Sequence, residues 1–119
     1  MDVINIKEKF SIFNDFWSPK IIGQLNGQDV KLAKLKGEFV WHNHKDEDEL
    51  FFIIQGTLKI EFRDKIVTLN EGEMLIIPKG TDHKPIANDE VLVLLFEPST
   101  VKHTGEVKHK LTKEKFDFI

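Results

Sequence analysis

The chain contains no cysteine and no tyrosine. The absence of cysteine excludes disulfides, thiol nucleophiles, cysteine-based zinc fingers and iron–sulfur clusters. The absence of tyrosine leaves the ten phenylalanines and two tryptophans as packing area without a phenol for acid–base chemistry. Any bound metal would therefore need histidine, carboxylate or water as its ligands.

Targeting signals and long apolar runs are also missing. The first residues, MDVINIKEKF, lack the basic start and apolar run of a signal peptide, and no stretch approaches the length of a membrane span. The formal net charge of −3 gives no reason to expect binding to nucleic acid or to an anionic membrane. We therefore expect a cytoplasmic protein that binds neither nucleic acid nor membrane.

The length of 119 residues suits one domain with a single core. Residues 1–19 are predicted to be a helical segment, because Ile6 and Phe10 begin an apolar face at helical spacing. Asn5 is a suitable N-cap for this helix, and Pro19 stops any helix before it.

The pattern from residue 20 to residue 98 predicts short strands. KIIGQL and VKLAKL flank NGQD, and Asn-Gly is the strongest short hairpin signal. GEFVWHNH, TLKIEF, HKPIA and VLVLLFEP are further extended runs. Eight or nine such segments at close spacing predict an all-β sandwich or barrel, with residues 99–119 as an arm packed on its outside. The predicted core-facing residues are Ile53, Leu58, Ile60, Phe62, Leu75, Ile77, Val93 and Leu95.

The stretch WHNHKDEDE places two histidines one residue apart, ahead of four acids. In an extended chain His42 and His44 project to the same face. Glu49 follows a short turn and opens the next strand, so it can reach back beside them. His83 follows the turn PKG, where the chain re-enters the sheet, and is the fourth candidate for the same cluster.

Three imidazoles and one carboxylate form a mixed nitrogen and oxygen ligand set. Such a set suits divalent iron, manganese, nickel, cobalt, copper or zinc. Structural zinc is one alternative, but this set more often leaves positions on the ion open for water, substrate or dioxygen. The acids at 46–48 are interpreted as a solvated turn, and His103 and His109 as bystanders in the polar arm.

The spacing of residues around this cluster resembles the two motifs of the cupin superfamily. The positions that match the first motif are Gly37, His42, His44, Glu49 and Gly56. The positions that match the second are Gly72, Pro78, Gly80 and His83. Two spacings depart from the pattern: four residues instead of five separate Gly37 from His42, and Asn88 comes one residue late and is given no role. The chain looks most like small single-domain cupins loosely named mannose-6-phosphate-isomerase-like.

The resemblance implies an all-β cupin fold, a double-stranded β-helix or jelly-roll barrel, with a short N-terminal helix. It implies a divalent transition-metal ion held by His42, His44, Glu49 and His83, and a dioxygenase or isomerase reaction on a small metabolite. Glu49 would then serve as a catalytic base as well as a ligand. Two alternatives stay open: a non-catalytic module that binds or senses a small molecule or a metal, and a structural dimer with a vestigial site. An exposed barrel edge beside an apolar N-terminal segment also favours a homodimer.

Overall fold

The computed structural model describes residues 1–101 and 116–119. Within them lie one helix and eight strands, which confirms the all-β prediction with a short N-terminal helix. The elements are α1 (Ile6–Ser11), β1 (Lys20–Leu25), β2 (Gln28–Glu38), β3 (Glu49–Gln55), β4 (Leu58–Phe62), β5 (Ile66–Leu69), β6 (Met74–Ile77), β7 (His83–Pro98) and β8 (Asp117–Phe118). In this described part of the chain, no helix is long and apolar enough to cross a membrane.

Helix α1 begins where the sequence predicts and ends earlier. The Asn5 side chain accepts a hydrogen bond from the backbone N–H of Glu8 at 2.9 Å, as expected of an N-cap. The helix ends at Ser11, and the N–H of Ile12 donates to the carbonyl of Lys9, which closes a tight last turn. The chain from there to β1 is irregular, and it places Trp17 at a φ of 55°.

Strand β7 joins the two halves of the barrel. Its first residues pair with β4 and its last residues pair with β3, while β2 runs antiparallel along both parts. The sequence predicts two separate strands here, HKPIA and VLVLLFEP, and that prediction is wrong. The pairs Leu35↔Val91 and Gly37↔Ala87 leave one residue of β2 opposite three of β7. This bulge bends β7 without ending it, because its pairing partners continue on both sides.

The NGQD hairpin is confirmed, since β1 and β2 pair across it with positive φ values at Asn26 and Gly27. The extended run GEFVWHNH is only partly a strand. Its first two residues belong to β2, and the rest of the run leaves the sheet before the chain reaches β3. One residue of this irregular part, His42, still pairs with the start of β7.

The interior of the barrel is the apolar core that the strand alternation predicts. All eight predicted core-facing residues are buried in it or packed against it. A second apolar layer lies outside the sheet, where Phe10 and Phe13 of the N-terminal segment cover Leu32 of β2. The predicted C-terminal arm stays a prediction, because residues 102–115, with His103 and His109, lie outside the described residues.

Substituting Gly56 is expected to destabilise the protein more than substituting Gly72. Both residues have positive φ, 92° and 79°, which costs an L-residue about 1–2 kcal/mol. At Gly56 an added Cβ would also lie 2.8 Å from the carbonyl oxygen of Glu90, whereas at Gly72 it meets open space. We expect Gly72→Ala to lower the free energy of unfolding by about 1 kcal/mol and Gly56→Ala by about 3 kcal/mol. Urea titration of the two variants would measure this, and equal losses would contradict it.

Candidate metal centre

His42 and His83 face each other across an antiparallel pair of backbone hydrogen bonds. The N–H of His42 donates to the carbonyl of His83 at 3.0 Å, and the N–H of His83 donates back at 2.9 Å. Each ring also uses Nδ1 locally, at 2.9 Å from the carbonyl oxygen of Val40 and at 2.8 Å from that of Thr81. Because a carbonyl oxygen only accepts, Nδ1 carries the proton and Nε2 keeps its lone pair for the interior.

His44 and Glu49 are held by a turn that is tied to the loop before β7. The carbonyl of His44 accepts from the N–H of Gly80 at 2.8 Å, and the Asp48 carboxylate accepts from the N–H of Lys79 at 2.8 Å. Glu49 then opens β3 opposite Ile77 of β6. The interpretation of residues 46–48 as a turn outside the cluster agrees with these contacts.

The structure brings all four predicted ligand residues together. Their ligand atoms lie within 4.8 Å of one another. The Oε1 atom of Glu49 is 3.5 Å from His44 Nε2 and 3.4 Å from His83 Nε2, longer than the roughly 3.2 Å limit of a good N–H···O bond.

Three of these ligand atoms are buried without a hydrogen-bond partner in the described chain, namely His44 Nε2, His83 Nε2 and Glu49 Oε1. An unsatisfied buried polar atom costs about 1–3 kcal/mol, so three converging ones need a common partner. Converging imidazole nitrogens and a carboxylate oxygen of this kind suit a divalent cation.

The pKa values favour the ionisation states that metal ligands need. Burial, and then the neighbouring His83, lower the pKa of His42 to about 4. Burial alone would raise the pKa of Glu49, but the adjacent Glu97, His44 and His83 side chains lower it well below its usual range. At neutral pH His42 is therefore neutral and Glu49 is charged.

Two aromatic residues next to the cluster were not predicted as site residues. The Trp17 ring stacks on the Phe39 ring with centroids 4.6 Å apart, and Phe39 meets the His42 ring edge-on at 5.4 Å. With apolar residues of β2, β3 and β7 they line a cavity of about 30 Å³ that also has His42 and Glu49 in its wall. The sequence carries no signal for the reach of Trp17 into this cavity.

Two buried charges behind Glu49 were also missed. Lys31 Nζ lies 2.9 Å from Glu97 Oε1, and both side chains are fully buried. Burial and the charge of Glu49 raise the pKa of Glu97 well above its usual range. The sequence signal that could have found them is the two-residue period of a strand. Lys31 lies on the same strand face as Ala33 and Leu35, and Glu97 lies on the same face as Val93 and Leu95.

Sequence comparison finds relatives across most of the barrel. Residues 28–98 match a family model described as Cupin_2, a cupin domain. "Uncharacterized protein YdbB" of Bacillus subtilis is 41% identical over 80 residues, 66% of this chain and 65% of YdbB. "3-hydroxyanthranilate 3,4-dioxygenase 2" of Aspergillus fumigatus is 27% identical over 92 residues, 71% of this chain and 48% of the dioxygenase. The chain thus spans just under two thirds of YdbB and about half of the dioxygenase.

Solved structures share the fold as well. A cupin-2 domain containing protein from Shewanella frigidimarina is 52% identical with a TM-score of 0.80, covering 81% of this chain and 94% of its own. Protein NMB1881 from Neisseria meningitidis is 32% identical with a TM-score of 0.76, covering 82% of this chain and 100% of its own. The barrel described above is therefore shared by proteins of clear sequence similarity.

Chelator-treated protein should lose stability as the pH falls from about 6.5 towards 4. In that window the unfolded chain protonates His42 and the native chain does not, so the unfolded state binds more protons and acid favours unfolding. The contribution of His42 is at most roughly 3 kcal/mol. Urea unfolding at several pH values should show a smaller acid loss for His42→Gln, whose amide can still donate to the Val40 carbonyl. Equal pH dependence in the two proteins would contradict the assignment.

Proposed function

The chain belongs to the Cupin_2 family, and on that basis we propose that it binds one divalent transition-metal ion and uses it as an enzyme on a small metabolite. The proposed ligands are His42, His44, Glu49 and His83, and the proposed reaction is of dioxygenase or isomerase type. The resemblance to cupins read from the sequence is confirmed. The expected cytoplasmic location stays a prediction.

Three buried ligand atoms without partners carry the proposal. Nearby charges support it. Among the described residues, the buried Glu49 carboxylate forms no ion pair with a lysine or an arginine, and its Oε1 atom faces the rings of His44 and His83. A divalent cation would supply the missing counter-charge.

The donor set fits several ions. Three imidazole nitrogens and a carboxylate oxygen suit iron, manganese, nickel, cobalt, copper or zinc, and geometry and cellular supply choose among them. When bound, such an ion supplies a Lewis acid with open positions for a substrate oxygen or dioxygen.

The protein's own residues orient the site and keep it dry. The backbone carbonyls of Val40 and Thr81 hold the rings of His42 and His83 by Nδ1 and leave Nε2 free. Trp17 and Phe39 cover the His42 side of the cluster with apolar surface, which excludes bulk water. Glu49 lines the cavity beside His42, and if displaced from the ion it would accept a proton from a bound metabolite as a general base.

The family match to a named dioxygenase favours the enzyme. That relative is 27% identical and is about twice the length that the chain covers, so it supports the reaction class alone. One observation favours the second candidate, a non-catalytic binding or sensing module. The cavity beside His42 and Glu49 measures about 30 Å³, which holds about two water-sized molecules but no metabolite.

Metal analysis of protein purified without chelator tests the proposed centre. We expect close to one divalent ion per chain. Glu49→Gln should weaken binding of Co²⁺ or Zn²⁺ by more than about a hundredfold, because the loss of an outer-shell partner alone costs up to that much. Asp46→Asn is the matched control: it removes one carboxylate from the adjacent exposed turn and should leave affinity unchanged. Metal-free protein that also takes up no added ion would overturn the proposal.

Turnover separates the enzyme from the binding module. Metal-loaded protein would be assayed for oxygen consumption with diketones, flavonols, thiols and 3-hydroxyanthranilate, and for isomerisation of sugar phosphates. A rate that disappears in His42→Ala supports the enzyme. Full metal occupancy with no turnover of any of these compounds supports the module.

We also propose that the protein is a homodimer that uses the outer face of β6, β3 and β7. Register pairing aligns Ile76, Leu50 and Phe96 in one row across these strands and Met74 and Phe52 in the next. Met74 and Ile76 are each 54% exposed, on a strand whose single pairing partner within residues 1–101 and 116–119 is β3. The two rows contain no charged residue, so a second copy related by a two-fold axis is a complementary partner.

Size-exclusion chromatography with light scattering should show a dimer at micromolar concentration. Ile76→Asp should shift it to a monomer, because the new charge would be buried in the interface. Ile66→Asp is the matched control, since Ile66 is 61% exposed on β5, outside the proposed face, and the dimer should persist. A wild-type monomer, or a dimer unaffected by Ile76→Asp, would refute this proposal.

A further inference from the structure

One end of the barrel interior is charged, in contrast to the apolar remainder. Asp29 and Lys31 lie on the same inward face of β2 as Ala33 and Leu35, and Glu97 lies on the inward face of β7. These three side chains are at most 2% exposed. Taking such groups out of water costs several kcal/mol per ion unless each is well paired, so their partners matter.

Lys31 and Asp29 are anchored on several sides. Lys31 Nζ lies 2.9 Å from Glu97 Oε1, 3.9 Å from Asp29 Oδ2 and 4.0 Å from the centroid of the Phe116 ring. Asp29 Oδ1 accepts hydrogen bonds from Gln24 Nε2 at 2.7 Å and from Ser99 Oγ at 2.9 Å. The ammonium group therefore has a defined position, and it fixes one oxygen of Glu97.

The other oxygen of Glu97, Oε2, has no hydrogen-bond donor in the described chain. It is fully buried, and the antiparallel register of β3 and β7, in which Leu50 pairs with Phe96, places Glu97 opposite Glu49 with both side chains buried. Glu49 in turn points its Oε1 at His44 and His83. Glu97 thus stands directly behind the one carboxylate of the metal centre and is held there by Lys31.

We propose that Glu97, anchored by Lys31, is a positioning residue that holds the Glu49 carboxylate in the orientation required for metal binding. The inference rests on the proposed metal centre and adds to it a supporting carboxyl that none of the motif positions contains. Glu97 acts through Glu49 and does not itself bind the ion. Its side chain restricts the rotation of Glu49, so that the ligand set is assembled before the ion arrives.

The test compares three substitutions of Glu97 in the full chain, with Co²⁺ as the probe. Glu97→Leu removes both polar contacts, so we expect Co²⁺ affinity to fall about ten- to hundredfold and the Co²⁺ absorption spectrum to change. Glu97→Gln should bind within about threefold of wild type with the wild-type spectrum, because its amide can donate to Glu49 and accept from Lys31. Glu97→Asp keeps the carboxyl group but is one methylene shorter, so Co²⁺ affinity should fall about fivefold or more and the spectrum should change.

Val91→Ala is the control for a purely structural role. Val91 is buried on the inward face of β7, like Glu97, but it lies beside Gly56, which follows the end of β3 opposite to Glu49. It should lower the unfolding midpoint of chelator-treated protein and leave Co²⁺ affinity and spectrum unchanged.

If Glu97→Leu binds Co²⁺ with the affinity and spectrum of wild type, the positioning role is overturned, whereas the metal centre is upheld by the binding of wild-type protein. If Glu97→Leu does not fold, the same result in Glu97→Asp overturns the positioning role. Loss of binding in Glu97→Gln as severe as in Glu97→Leu would also overturn it. Absence of Co²⁺ binding by wild-type protein would instead overturn the metal centre, and the positioning role with it.

Discussion

Two backbone hydrogen bonds between His42 and His83 are the contact on which the site depends. His42 lies in the irregular connection between β2 and β3, and this pairing is what attaches it to the sheet. His83 is fixed independently, because it begins β7 and pairs with Phe62 of β4. The pairing therefore fixes the position of a loop residue, His42, relative to the long central strand β7. It also places the ring centroids of His42 and His83 4.3 Å apart, close enough for the two rings to share one ion.

The clustering of the four proposed ligand residues could be predicted because each signal is local. A histidine pair two residues apart, a short acidic turn and a Pro-x-Gly turn each act over a few residues, and strand geometry then determines the facing side chains. His42 and His44 point into the same site although both lie outside the strands, since the pairing with His83 keeps that part of the chain extended. The reasoning from an extended chain thus predicted the clustering of these side chains, but it assigned His42 and His44 to a strand, which is wrong.

The residues that support the ligands could not be predicted with the same ease. Where the outer face of a barrel is exposed to solvent, the alternation of apolar and polar residues shows directly which face of a strand is inside. Here the outer face is also apolar, because Leu32, Leu92 and Leu94 lie beneath the N-terminal segment, so the run VLVLLFE does not reveal which side is inside. A lysine and a glutamate in such strands are ordinarily assigned to solvent. The continuity of β7 was not predicted for a related reason. Asn88 and Asp89 favour a turn, and only the pairs with β2 on both sides of residues 88–90 show that the strand continues.

The interior is closed at two levels by parts of the chain that lie outside the main strands. Trp17, in the irregular segment before β1, donates its indole N–H to the carbonyl of Lys36 and covers the cavity next to His42. Phe116, just before β8, lies against the ammonium of Lys31 at the charged end. Trp17 and Phe116 both belong to segments that flank the barrel, on the sides where tags and fusion partners are usually attached. An extension at either side can therefore alter how water reaches the interior without touching a proposed ligand residue. Protein preparations that differ in such extensions should be compared as carefully as variants of the histidines.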